Sequence, residues 1–231
     1  MATKKEQEIK KGEERLENVE SALSKTELWI EEHQNLIYGV IAAVIVLAGI
    51  IWGLKALNDK KDRNASSEIF TAQKYFEKEN YEAALNGDGN YLGFTEVYDS
   101  YKSTKTGKLA AYYAGISYMK LGKYEEAIDY LKKFNSKDDI LAPMALGAIG
   151  DCYMELDNVD EAAAYYTKAA NESKNEFTGP MFLTKAGMTY EILGDYANAL
   201  NCYKALKADY PLSNEAYEVG RYISAMEEKL K

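Results

Sequence analysis

Apolar positions follow two regimes along this chain. Between Gln34 and Leu54 they form a near-continuous block, QNLIYGVIAAVIVLAGIIWGL, with no Asp, Glu, Lys, Arg or Pro. From Asn64 onward they recur at helical spacing among polar residues. At about 1.5 Å per residue, a helix over the block is long enough to cross a hydrocarbon core of ~30 Å. The periodic part predicts amphipathic helices throughout. Its three prolines, Pro143, Pro180 and Pro211, are expected between helices rather than within them.

The periodic part also repeats itself. Gly115, Gly150 and Gly187 set the register. Three residues later stand Tyr118, Tyr153 and Tyr190, twelve later Ala127, Ala162 and Ala199, and sixteen later Leu131, Tyr166 and Tyr203. Ala72, Tyr75, Tyr81 and Ala84 fit the same register and predict a divergent first unit from about Asn64. That unit breaks at Asn86-Gly-Asp-Gly-Asn90, and an extra helix is expected over Gly93 to Tyr101. A small residue, a tyrosine three later, a turn and a mid-helix alanine suit two closely crossing helices, with the tyrosine filling the gap between units. Fixed self-similarity at this period is the mark of a solenoid.

These residues resemble the tetratricopeptide repeat, down to Pro211 after Tyr210 at the end of the last unit. The expected fold is all-α: one N-terminal transmembrane helix followed by a tetratricopeptide-repeat solenoid. The expected division is a charged segment over 1–33, the membrane helix over 34–57, a basic linker over 58–63 and the repeat domain over 64–230. Within that domain the divergent unit covers 64–102, three units follow at about 108–139, 143–174 and 180–211, and a closing helix runs over 213–230.

Flanking residues support the membrane reading. The two tryptophans of the chain, Trp29 and Trp52, bracket the apolar block, and Lys55 follows it. Residues 1–33 carry six basic and nine acidic residues, and Ser24 with Glu27 fits a capping box. The apolar run starts late, is longer than a signal-peptide core and lacks an A-x-A exit, so an uncleaved signal anchor is expected. Gly49 with Gly53, and Gly39 with Ala43, form small-residue pairs that let another membrane helix or a second copy approach.

Composition narrows the chemistry. Apolar residues make up 47% of the chain, enough for a real core, and the net charge of −9 argues against nucleic acid, whose phosphates call for a Lys/Arg surface. Cys152 and Cys202 sit in apolar helical patterns with no Cys-x-x-Cys neighbour, so a disulfide framework or zinc site is not expected. His33, the single histidine, lies at the membrane edge. No phosphate loop or nucleotide fingerprint is present, and no enzyme activity, cofactor or metal is expected. Asn86 to Asn90 mimics the start of a calcium loop, but Tyr91 stands where the sharp turn needs Gly and Val97 where a bidentate Glu belongs.

The resemblance implies a concave groove lined by the first helix of each unit. Read onto this chain, the lining is Leu109, Tyr112, Ile116 and Met119, then Met144, Gly147, Asp151 and Met154, then Met181, Thr184, Met188 and Glu191. Beyond Met1 the chain has six methionines, and five fall on this set. Methionine suits surfaces that accept varied apolar partners. The same residues could instead pack against neighbouring helices. Only Lys185 is basic there, which argues against a clamp for a terminal carboxylate.

A narrower resemblance concerns layout. A short charged N-terminus, one anchor helix and an Ala-, Tyr- and Gly-rich repeat domain are similar to the YfgM-type ancillary subunits of the bacterial SecYEG translocon. That family implies a single-pass inner-membrane protein with a periplasmic repeat domain, and as partners the SecYEG translocon, periplasmic chaperones or translocating polypeptide. The basic-residue count conflicts with this. Lys55, Lys60, Lys61 and Arg63 follow the span closely, whereas Lys25 and Arg15 are the nearest basic residues before it, which places the repeats in the cytoplasm. Long C-terminal domains translocate largely regardless of charge, so the periplasmic side is favoured. The expected function is a membrane-anchored protein-binding module, an ancillary subunit or chaperone-like adaptor at the translocation machinery. The alternative is a structural scaffold for an envelope or division complex with no client-holding role.

Overall fold

The computed structural model describes Trp29, residues 32–173 and residues 175–231. Ser24, Glu27 and the rest of residues 1–28 lie outside the described residues. The helices are α1 (Gln34–Glu77), α2 (Tyr81–Asn86), α3 (Phe94–Tyr101), α4 (Lys105–Lys120), α5 (Tyr124–Lys133), α6 (Leu141–Glu155), α7 (Val159–Glu172), α8 (Thr178–Ile192), α9 (Tyr196–Asp209) and α10 (Val219–Lys229). No strand occurs among the described residues. The chain divides into two compact units, residues 1–57 and 58–231.

In the first unit the apolar block is helical, and almost every described side chain from Leu36 to Leu54 is exposed. Helix α1 is long and apolar enough over this stretch to cross a membrane, by length and composition.

The second unit is a solenoid of antiparallel helix pairs, α4–α5, α6–α7 and α8–α9, each packed on the next, with α10 against α9. A single turn geometry builds them. The backbone N–H groups of Lys123, Asn158 and Asp195 each donate to the carbonyl five residues back, of Tyr118, Tyr153 and Tyr190, at 2.9 Å. The residue before each donor, Gly122, Asp157 or Gly194, has φ between 55° and 73°. This six-to-one bond around a left-handed residue is the Schellman closure of a helix. Asn80 N–H donates to the Tyr75 carbonyl at the same 2.9 Å, with Glu79 at φ 58°. The end of α1 and α2 therefore turn as the later units do.

The expected linker over 58–63 is helix instead, part of a 44-residue α1. Residues 55–77 contain no Gly or Pro, so nothing stops the helix there. Asp62 within this stretch accepts the Thr106 N–H at 2.8 Å, at the first turn of α4. The closing helix starts at Val219, later than Ser213, because residues 211–217 form turns after Pro211. Pro143 and Pro180 lie in the first turns of α6 and α8, where a helix has no use for their missing N–H.

Four apolar clusters run along the solenoid, and the repeat tyrosines join them. Tyr118 packs against the first two, Tyr153 against the second and third, and Tyr190 against the third and fourth. Ala84, Ala127, Ala162 and Ala199 are fully buried where paired helices cross.

Candidate functional site

The first helices of the three regular units, α4, α6 and α8, lie side by side. Close approach between the helices of a pair depends on the register glycines. A Cβ on Gly150 would stand 2.7 Å from the Tyr166 ring, and one on Gly187 would stand 2.6 Å from the Tyr203 ring. The hydroxyls of these rings reach acids on the preceding helix: Tyr166 donates to Asp151 Oδ1 at 2.6 Å, and Tyr203 donates to Glu191. Burial, then the hydrogen bond to a carboxylate, pushes both phenols well above their ordinary range.

The expected groove residues divide by burial. Tyr112, Ile116 and Met119 are half-buried against the second cluster, and Met144, Met154 and Met181 against the third. Gly147 is buried under the Phe182 ring. Leu109, Thr184, Asp151 and Glu191 are also partly covered. Met188 is 44% exposed, and Ile192, one turn on, is 64% exposed. The methionines thus fill seams between neighbouring helices while showing one edge outward.

Met119, Tyr124, Asp151, Met154, Tyr166 and Lys185 surround a depression of about 450 Å³. Lys185 Nζ donates to Asp151 Oδ1 at 2.6 Å and lies 5.3 Å from the Tyr166 ring centre. The one basic residue expected in the groove is therefore matched by an acid, and Lys120 and Glu155 complete a largely polar lining around Met119 and Met154. The residue types alone did not reveal this network. Asp151 and Lys185 stand about one repeat apart, which puts them at similar heights on adjacent helices.

Elsewhere, Asp88 Oδ1 accepts the N–H groups of Asn90 and Tyr91, and Oδ2 accepts the Tyr75 hydroxyl. Both oxygens serve the turn. Among the described residues no group of three or more His, Cys, Asp or Glu could hold a metal ion. Burial raises the Cys152 thiol to about 12 and the Cys202 thiol to about 11. Trp29, Trp52 and Lys55 are exposed, and Trp29 stacks on His33 at 4.7 Å. Gly39, Gly49 and Gly53 have nothing within 4 Å of a Cβ position, and Ala43 is exposed.

Tetratricopeptide-repeat family models match residues 112–176 and 183–213. The solenoid is built of tetratricopeptide repeats. The chain is 27% identical over 172 residues to Protein FLUORESCENT IN BLUE LIGHT, chloroplastic, of Arabidopsis thaliana, covering 72% of this chain and 51% of that one. It is 25% identical over 174 residues to TPR repeat-containing protein MJ1428 of Methanocaldococcus jannaschii, covering 75% of this chain and 28% of that one. The chain thus spans about half the length of one curated relative and about a quarter of the other. A solved kinesin-light-chain structure of Podosopora anserina, made of nearly identical tetratricopeptide-like repeats, superposes with a TM-score of 0.54 at 12% identity, over 74% of this chain and 87% of that one. This likeness concerns the fold. Tetratricopeptide repeats form protein–protein interaction modules, typically without catalysis.

Proposed function

We propose that this protein is a membrane-anchored protein-binding module that holds polypeptide beside a bilayer, as an ancillary subunit or chaperone-like adaptor at the translocation machinery. The carrying observation is the exposed apolar length of α1 in the same chain as a tetratricopeptide solenoid. An apolar face of that length far exceeds the few hundred Å² that soluble monomers expose, and a bilayer would cover it. Trp29 and Trp52 suit its two interfaces. A client would lie on the α4–α6–α8 face, where the outward edges of Tyr112, Met154 and Met188 give apolar contact without a fixed sequence code. Neutralisation of Lys185 by Asp151 fits an apolar client better than a terminal carboxylate. The anchor would raise the local concentration of the groove at the membrane.

A photoreactive amino acid at position 188 in the full chain, expressed in bacterial membranes, tests this reading. The expected result is cross-linking to translocon subunits, chaperones or nascent polypeptide, lost when Ile192 is changed to Glu. Absence of polypeptide cross-links from 188 refutes client holding. Sidedness is read separately by labelling Leu212→Cys with a membrane-impermeant thiol reagent, since Leu212 is 96% exposed while Cys152 and Cys202 are buried. The scaffold reading draws on one feature, the exposed loop edge of Phe177 and Leu212 beside a depression of about 630 Å³. Cross-links from position 212 but none from 188 would favour it.

A further inference from the structure

The second helices α5 and α7 meet only through long side chains, Lys132 reaching the Tyr165 ring, and α6 forms the floor between them. The resulting cleft holds about 400 Å³, within the ~300–1,000 Å³ of ligand pockets. Its floor is apolar, made by Leu131, Ala145, Leu146 and Ile149. Its rim is basic, with Lys132 on α5, Lys137 on the following loop and Lys168 on α7. Glu172 is the one carboxylate among the described lining residues, and Asp138 and Asp139 line the adjoining depression beside Lys137.

These lysines contrast with the ion-paired lysines of the solenoid. Lys123, Lys185 and Lys204 pair with Glu82, Asp151 and Glu227. Among the described residues, Lys132, Lys137 and Lys168 form no ion pair. Lys132 and Lys168 instead lie over tyrosine rings. Lys132 Nζ is 5.8 Å from the centres of both Tyr153 and Tyr165 and donates to the Tyr153 hydroxyl at 3.3 Å, and Lys168 Nζ is 6.0 Å from Tyr165. Aromatic faces hold an ammonium in place while leaving it unneutralised. Burial alone would lower the Lys132 pKa, but the bond to Tyr153 and the nearby Tyr165 raise it on balance, so it stays charged. Equivalent positions one unit on carry Thr167, bonded to the Tyr190 hydroxyl, and Ala205. The unneutralised rim therefore belongs to the α5–α7 junction.

In a chain of net charge −9, a basic rim over an apolar floor selects by complementarity. We infer that the α5–α7 cleft, on the side of the solenoid opposite the α4–α6–α8 face, is a second docking site that takes an acidic peptide segment carrying a bulky apolar side chain. The apolar side chain fills the space over Leu146 and Ile149. Flanking carboxylates meet Lys132, Lys137 and Lys168, which also rejects basic segments.

Fluorescence anisotropy tests the site with the full chain in zwitterionic nanodiscs. The probe is a labelled synthetic dodecapeptide of Glu and Ser with one central Phe. The comparison peptides carry Lys for Glu, or Ser for Phe. The expected result is saturable binding of the Glu/Phe peptide alone, weakened several-fold as salt rises from about 50 to 300 mM. Lys132→Glu with Lys168→Glu should weaken it about tenfold or more. Lys132→Gln with Lys168→Gln should weaken it less, and each variant's helical melting should confirm that it is folded. Met188→Glu on the other face should leave this binding unchanged, so failure of the groove and failure of the cleft are separable. Three results would overturn the inference: no binding, equal binding of the Lys-bearing peptide, or unchanged binding by the folded double charge reversal. Concentration-dependent self-association abolished by that reversal would also overturn it, by assigning the cleft to a second copy.

Discussion

Gly187→Ala sets two effects of similar size against each other. Alanine in a helix interior is favoured over glycine by about 1 kcal/mol. Against this, the new Cβ stands 2.6 Å from Tyr203 Cε1 and 2.8 Å from Cζ. Carbon atoms settle at about 3.5–4.0 Å, so the ring has to move by about 1 Å. The ring has little room to do so. Tyr203 is fully buried, stacks on Tyr222 at 5.1 Å and is tied by its hydroxyl to Glu191. Overpacking of this kind costs typically 1–3 kcal/mol, and here the upper part of that range applies because no flexible end can give way. The expected net loss is about 1–2 kcal/mol, or roughly 2–8 °C in Tm for a chain of this size. Thermal melting of the full chain in detergent, followed by tyrosine near-ultraviolet circular dichroism, reads it. A variant more stable than the parent by 0.5 kcal/mol or more, on the order of the propensity gain alone, would show that the ring yields freely and that the glycine register is not steric.

Glu79 occupies the left-handed turn position that Gly122 and Gly194 fill elsewhere. Glu79→Gly should therefore raise stability by about 0.5–1 kcal/mol in urea unfolding, and a loss would contradict the assigned strain. Cys152 and Cys202 should react with maleimide in the native chain at least tenfold more slowly than after unfolding (about 1.4 kcal/mol of protection), because burial withholds the thiolate. Tyr166 and Tyr203 have folded pKa values raised above the unfolded value of about 10, so the stability they contribute is complete below that pH and fades as pH rises past it. Replacing both with Phe should make the melting temperature less sensitive to pH above about 10, and an unchanged pH slope would refute the assignment. Asp62→Ala should cost on the order of 1 kcal/mol by freeing the Thr106 N–H at the start of α4.

What the sequence disclosed and what it hid follow from where each contact lies. The register of Gly115, Gly150 and Gly187 with the residue sixteen later is a contact inside one helix pair, so its spacing is fixed and visible. The joining role of Tyr118, Tyr153 and Tyr190 is likewise periodic. Asp157 and Glu79 were invisible as turn residues because neither is glycine, although backbone hydrogen bonding makes their turns the same as the others. The stretch 58–63 reads as a linker by its charge, yet charge on an exposed helix face is no stop signal. The groove methionines were identified by position, but position cannot say how far a flexible side chain folds back into a seam. Met188 projects outward, whereas Met144, Met154 and Met181 share the third cluster. The α5–α7 cleft joins residues of adjacent units, so no pattern within one repeat announces it.

The divergent first unit shows how the solenoid tolerates an insertion. Its turn is regular, and Ala84 is buried where Ala127, Ala162 and Ala199 are. Its second helix, α2, is only six residues long, against ten for α5 and fourteen for α7 and α9. The chain then bends at Gly87, with φ at 76°, and a Cβ on Gly87 would stand against the backbone of residues 91–93. Helix α3 follows and restores what α2 lacks. Phe94 and Val97 are fully buried, Thr95 donates to the Leu85 carbonyl at the end of α2, and Phe94 stacks on Tyr113 of α4 at 5.2 Å. Both α2 and α3 pack on α4. Together they do the work of one second helix, interrupted by a hairpin of residues 87–93. The hairpin lies at the surface, its ends anchored by Leu85 and Phe94, so its tip at Gly89 and Asn90 can change length without disturbing the core. The stacking of later units on α4 needs only the surface that α2 and α3 jointly complete, which is why the repeat signal fades here while the architecture continues.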